Sequence, residues 1–170
     1  DSITGFFTPD VIEGGAGNDQ LRGSSGGDTY LFNSGLGQDT IYESLDDHPY
    51  IDGPDQIVFG TGIVDTDVQF TRDGGDLVIR VAGSTDTMRV AGQFTTNNYA
   101  KIESFVLSSG RIVTIPELGQ MAVNAAQTNG NDTVVGYTGA EILDGGAGND
   151  VLRGEQGDDT YVFGRLSGQD

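Results

Sequence analysis

Residues 14–23, GGAGNDQLRG, return at 145–154 as GGAGNDVLRG, and the offset of 131 between them holds without a gap from Asp1 against Asp132 to Asp39 against Asp170. Nineteen of those 39 aligned positions are identical. A finer period of nine runs inside each block. Asp1, Asp10, Asp19 and Asp28 are evenly spaced, with Ile3, Ile12, Leu21 and Tyr30 each two residues later. The second block repeats this with Asp132, Glu141, Asp150 and Asp159, followed by Val134, Leu143, Leu152 and Tyr161. One wider step of eleven then reaches Asp39 and Asp170. Repetition on this scale decides the architecture, because each unit can bury its apolar side chain only by stacking on its neighbours. One 131-residue unit followed by the opening of another is expected of a segment cut from a longer array.

The nine-residue unit has a direct physical reading. Its Gly-rich stretch can take the positive φ and close backbone approaches of a tight turn, and the remaining residues suffice for a short strand with its middle side chain inward. Two such halves make one coil of a flattened parallel β-helix, so turns n and n+2 lie on the same side. Ile12, Leu21 and Tyr30 then stack in a thin core, while Gln20 and Arg22 face water. The spacing predicts an all-β chain: parallel β-roll solenoid blocks flanking a β-rich middle segment with one short helix.

Stacked turns bring carboxylates and turn carbonyls to one point. These are hard oxygen ligands, which suit a Ca²⁺ ion taking six to eight of them; Mg²⁺ dehydrates reluctantly and fits worse. Turns two apart pair Asp1 with Asp19, Asp10 with Asp28, Asp132 with Asp150, Glu141 with Asp159 and Asp150 with Asp170. Asp39 completes the carboxylates of the first block, and Gly14, Gly15 and Gly17, with Gly145, Gly146 and Gly148, form the turns beside them. About five to eight Ca²⁺ ions are expected per chain.

Composition narrows the alternatives. With 26 acidic residues against 8 Lys and Arg the net charge is −18, which argues against nucleic acid and against anionic membranes. The absence of Cys and the single His48 exclude disulfides, thiolate zinc sites, cysteine nucleophiles and His-pair metal motifs. No apolar run approaches the roughly 18 residues of a membrane span, so no membrane insertion by this segment is expected.

GGAGNDQLR and GGAGNDVLR resemble the GGxGxDxUx nonapeptide of RTX (repeats-in-toxin) proteins, a calcium-binding β-helix repeat. Weaker copies flank them: GFFTPDVIE at 5–13 lacks the inner glycines, GSSGGDTYL at 23–31 keeps Gly26 and Asp28, and GYTGAEILD at 136–144 carries Glu141 for Asp. Glu141 reaches one methylene further and is expected to make the weakest site.

Residues 40–128 lack the nonapeptide but read as β. Val68, Phe70 and Arg72 alternate with polar residues, Asp73-Gly74-Gly75-Asp76 turns the chain, and Leu77, Ile79 and Val81 resume the alternation as a hairpin. Further strands are expected at 56–59, 87–91, 102–107 and 111–115. Thr114 and Glu117 have capping-box spacing, so a short helix over 116–127 is expected to pack as a lid. The segments DQIVFGTGI at 55–63, GGDLVIRVAGSTDTMRV at 74–90 and KIESFVLSSGRIVT at 101–114 resemble the haemolysin-type calcium-binding-related domain. Asp55-Gln56-Ile57 and Asp86-Thr87-Met88 keep the D-x-apolar signature, which predicts that the coil continues; Asp55 is expected to be a ligand and Asp86 is left open. The division expected is a roll over 1–45, the related β segment over 46–128 and a second roll over 129–170.

The acidic loop with Asp46, Asp47, His48 and Asp52 reads as a solvated turn or an added Ca²⁺ site. A lone His without a nucleophile and an orienting group does not make a catalytic centre, and no enzyme activity is expected of this segment. The resemblance implies a secreted bacterial protein, exported by type I secretion, that folds on meeting extracellular Ca²⁺. Two alternatives stand beside it: a repeat unit of an adhesin with an unidentified ligand, or an accessory domain of a secreted hydrolase or epimerase. End-to-end self-association through an open C-terminal coil is also expected.

Overall fold

The structure is a computed structural model describing residues 1–43, 53–95, 101–164 and 168–170. His48 and the acidic residues 46–52 lie outside them. Two compact units are present: Asp1–Gln69 with Asp73–Thr114, and Phe70–Arg72 with Ile115–Asp170. They follow packing contacts, so the roll over 1–45 falls in one unit with most of the β segment that follows it.

The first unit begins with β1 (Ser2–Thr4), β2 (Val11–Ile12), β3 (Gln20–Arg22), β4 (Thr29–Phe32), β5 (Gln38–Ile41) and β6 (Gln56–Phe59). Then come β7 (Val68–Asp73), whose Phe70–Arg72 belong to the second unit, β8 (Asp76–Val81), β9 (Thr87–Val90), β10 (Ser104–Val106) and β11 (Ile112–Thr114). Strands alternate between two sheets, as a nine-residue half-coil requires. One sheet runs β1-β3-β5-β9-β8-β7 and the other β11-β10-β6-β4-β2. The strands from β1 to β9 in the first and from β2 to β10 in the second are parallel, while β8 pairs with β9 and β11 with β10 antiparallel. The coil therefore continues through β6, β9 and β10, with the β7–β8 hairpin inserted between two of its turns.

In-register stacking builds the core. Leu21, Ile41 and Val90 are successive partners in one sheet, and Ile12, Tyr30, Ile57 and Phe105 in the other. All seven are buried, none more than 4% exposed, and burial of such side chains is worth about 1.5–3 kcal/mol each. Phe32 and Phe59 add an edge-to-face pair, ring centroids 5.4 Å apart. Outside the core, the Arg22 guanidinium lies over the Tyr42 ring at 4.8 Å.

The second unit contains α1 (Ile115–Ala126), β12 (Thr133–Val135), β13 (Ile142–Asp144), β14 (Val151–Arg153) and β15 (Thr160–Val162). β12 pairs with β14 and β13 with β15, both parallel. The helix packs on β12 and β13, where Val123, Val134 and Leu143 form a fully buried cluster against Ala126 and Leu152. Tyr161 is 45% exposed, whereas its repeat equivalent Tyr30 is fully buried between Ile12 and Ile57.

Candidate metal centre

Each strand of the roll is preceded by a carboxylate, except β5, which contains its own, Asp39, and the coil sets these carboxylates above one another. The contact repeats from coil to coil: the backbone N–H of one acidic residue donates to a carboxylate oxygen of the acidic residue one coil further on. Asp10 donates to Asp28 (2.8 Å), Asp28 to Asp55 (2.7 Å), and Asp55 to Glu103 (2.7 Å). On the other side Asp19 donates to Asp39 (3.0 Å), and the amino group of Asp1 contacts Asp19. The second unit repeats the arrangement: Asp132 with Asp150 (2.8 Å), Glu141 with Asp159 (3.0 Å) and Asp150 with Asp170 (3.1 Å). All five pairs expected from the spacing are brought together.

These bonds use one oxygen of each carboxylate. The Oδ2 atoms of Asp19, Asp39 and Asp150 are buried and, among the described residues, receive no hydrogen bond. A buried anionic oxygen without a donor is costly, and the place it occupies is lined by glycine. A Cβ on Gly14 would sit 2.9 Å from Asp39 Oδ2 and 3.0 Å from Asp19 Oδ2, so both orphaned oxygens converge beside that residue. Likewise a Cβ on Gly145 would overlap Asp150 Oδ2, and one on Gly5 or Gly136 would overlap the carbonyl of Gly23 or Gly154 beside the carboxylate of Asp10 or Glu141. Carboxylate and carbonyl oxygens around a space no side chain fills match the donor set of Ca²⁺. The next glycines shape the turn itself: Gly15 and Gly17 have φ of 80° and 137°, and Gly146 and Gly148 have 80° and 145°, values that favour glycine.

A denser cluster adds Glu43, a residue outside the nine-residue period, to two that follow that period. Asp28, Glu43 and Asp55 are all buried and each offers an oxygen within 4.8 Å of the others. Glu43 also accepts the Tyr30 hydroxyl. Burial first, then the charge of Glu43 and the lesser influence of Glu103 and Asp28, pushes the Asp55 carboxyl up to about 8. Burial and Glu43 likewise raise the Tyr30 hydroxyl well above its ordinary value. Asp39 is raised too, by burial, against the Asp19 N–H bond, which lowers it.

Asp86 behaves differently. Gln20 faces Thr40 across β3 and β5, but Asp39 faces Met88 across β5 and β9. This two-residue shift in phase sets Asp86 beside Gly37. Its carboxylate accepts the N–H groups of Gly35 (2.7 Å) and Gly37 (3.0 Å) and the Ser84 hydroxyl (2.8 Å), which hold it below the usual carboxylate range. With both oxygens occupied, Asp86 acts as a turn clamp. Glu141 is similarly committed, its oxygens accepting from Tyr137 (3.0 Å) and Gly139 (3.1 Å). Glu43 and Glu103 are the site residues the period does not reveal; Glu103-Ser104-Phe105 carries the acid-x-apolar spacing with Glu for Asp.

Comparison with known proteins agrees with this geometry. The RTX calcium-binding nonapeptide repeat, in four copies, matches residues 4–41 and 128–165. The haemolysin-type calcium binding protein related domain matches residues 76–115. The iron-regulated protein FrpA of Neisseria meningitidis serogroup C is 33% identical over 124 residues, 71% of this chain and 11% of that protein. Among solved structures, the extracellular lipase LipA from Serratia marcescens aligns with 96% of this chain and 29% of its own, at TM-score 0.38 and 18% identity.

Proposed function

Because the chain belongs to the RTX family of haemolysin-type calcium-binding repeat proteins, we propose that it is a non-catalytic module whose folding is driven by Ca²⁺ after export by type I secretion. The observation that carries this reading is the ladder of buried carboxylates with one oxygen bonded to the neighbouring coil and the other turned to a glycine-lined space. Asp10, Asp19, Asp28, Asp39 and Asp55 would hold ions in the first unit. Asp132, Glu141, Asp150, Asp159 and Asp170 would do so in the second, with Asp1 closing the first turn. Bound Ca²⁺ supplies positive charge that offsets carboxylates stacked about 5 Å apart and ties successive turns together. Without it, one large apolar residue per nine is too little burial to offset ordering costs of about 1–2 kcal/mol per residue. Low Ca²⁺ would keep the chain extended for export, and millimolar Ca²⁺ outside would fold it.

The test is a Ca²⁺ titration of the metal-free chain by circular dichroism. The expected result is a steep gain of β signal between about 10⁻⁴ and 10⁻³ M, with about five to eight ions bound. A metal-free chain already fully folded, with Ca²⁺ changing neither spectrum nor melting temperature, would refute the reading.

The 131-residue repeat favours a second reading, in which such units are spacers or ligand-presenting repeats of an adhesin; an accessory role beside an enzyme domain is a third. In either case the roll over 1–45 with the β segment over 46–128 is the repeating piece, and the roll over 129–170 opens the next. The exposed Tyr161 and Phe163, 45% and 66%, support end-to-end association, which sedimentation of the Ca²⁺-loaded chain would reveal as a concentration-dependent mass.

A further inference from the structure

The two blocks differ in what covers their opening turn. In the second unit α1 lies on the turn between β12 and β13. The Gln120 side chain bonds both the N–H (2.8 Å) and the C=O (3.1 Å) of Ile142, and Val123 is buried against Val134 and Leu143. Gly119 approaches so closely that a Cβ there would lie 2.6 Å from Glu141 Oε1 and 3.5 Å from the Tyr137 side chain. Tyr137, which sits between the helix and Arg72, whose guanidinium donates to the Gly136 carbonyl (2.6 Å), is only 6% exposed.

The offset of 131 maps Tyr137 onto Phe6, Ile142 onto Val11 and Val134 onto Ile3. The turn is built alike in both: Asp10 Oδ2 accepts the Phe6 N–H (2.7 Å) as Glu141 accepts that of Tyr137 (3.0 Å). The burial differs at two of these pairs: Phe6 is 73% exposed against 6% for Tyr137, and Ile3 is only partly covered where Val134 is fully buried, while Val11 and Ile142 are exposed in both blocks. Phe6 and Phe7 on this turn, with Val11 at the start of β2, in a chain with net charge −18, form an apolar surface that solvation does not explain.

We propose that the opening turn of the first unit is a docking surface for a helix of α1 sequence, lying ahead of Asp1 as α1 lies ahead of Asp132. In an array of such units the helix of one repeat would cap the roll of the next, so that each unit is completed by its predecessor. This inference stands on the repeat symmetry and the exposure of Phe6, independently of the calcium reading.

The experiment places the chain's own residues 113–131 directly before Asp1, reproducing the Asn131–Asp132 junction, and compares the Ca²⁺-loaded proteins by hydrogen exchange and thermal melting. Exchange over residues 2–13 should slow at least about tenfold, and the melting temperature should rise by about 2–4 °C. The same extension carrying Gln120→Ala and Val123→Asp in the added copy should give neither effect. A free peptide of residues 113–131 should protect residues 2–13 at saturation, a readout that survives if the extended chain folds poorly. No protection of residues 2–13 by extension or peptide would overturn the proposal. So would a dimer of the unextended chain dispersed by Phe6→Ser, which would make a second copy the occupant.

Discussion

Protons should partly replace calcium at Asp55. Its carboxyl, buried and faced by Glu43, Glu103 and Asp28, is raised to about 8 in the folded chain, against about 3.9 in an unfolded one. A carboxyl raised on folding takes up a proton, so in the metal-free protein its contribution is fully present below the unfolded value and is lost as pH rises toward 8. The slope is at most one proton, about 1.4 kcal/mol per pH unit. Between pH 8 and pH 5.5 Asp55 alone therefore favours the folded roll by about 3 kcal/mol. Asp39, also raised by burial, acts in the same direction. Asp86, held low by Gly35, Ser84 and Gly37, loses its contribution only below the usual carboxylate range, outside this window. The assay is far-ultraviolet circular dichroism of the chain in Ca²⁺-free buffer from pH 8 to 5.5, a range that stays above the sequence pI of about 4.1. β signal should grow as pH falls, and Asp55→Asn, neutral and isosteric, should carry more of it at pH 8 with a flatter pH dependence. In Ca²⁺ the sign reverses: acidification should raise the Ca²⁺ midpoint, by at most about tenfold per unit at this site. A metal-free chain that loses β signal, or is unchanged, between pH 8 and 5.5 would refute the reasoning.

Asp19→Ala removes one of the two orphaned oxygens beside Gly14 and should raise the Ca²⁺ midpoint on the order of tenfold, measured by calorimetric titration. Glu141→Gln should shift the midpoint less than Asp150→Asn, since both Glu141 oxygens already accept backbone N–H groups whereas Asp150 Oδ2 accepts none among the described residues; a larger shift from Glu141→Gln would contradict the assignment of Asp150. Gly145→Ala places a methyl on Asp150 Oδ2 and should destabilise the Ca²⁺-loaded second unit by about 1–3 kcal/mol in denaturant unfolding. Gly119→Ala sets helix propensity, about 1 kcal/mol in favour of Ala, against a Cβ 2.6 Å from Glu141 Oε1. The clash should win, lowering the melting temperature.

Nine-residue phasing makes most of this molecule legible from the sequence. Turns two apart share a sheet, so the periodic spacing of Asp1 to Asp28 and Asp132 to Asp159 was enough to pair their carboxylates. Period-two alternation marked the hairpin, and a capping box with an Ala-rich run marked the helix, observed at Ile115–Ala126. These features are local, set by the geometry of one turn or one strand. What the tertiary structure alone decided lies where the period breaks. Asp86 has the spacing of a ladder residue, yet the two-residue phase shift between β5 and β9 hands its oxygens to Gly35 and Gly37. Glu43 follows no spacing at all, but the coil folds it against Asp28, Asp55 and the Tyr30 hydroxyl. Register across an inserted hairpin depends on how distant strands pair and fill the core, and burial without a counter-charge depends on what surrounds a side chain in space; neither quantity is carried by neighbouring residues in the chain.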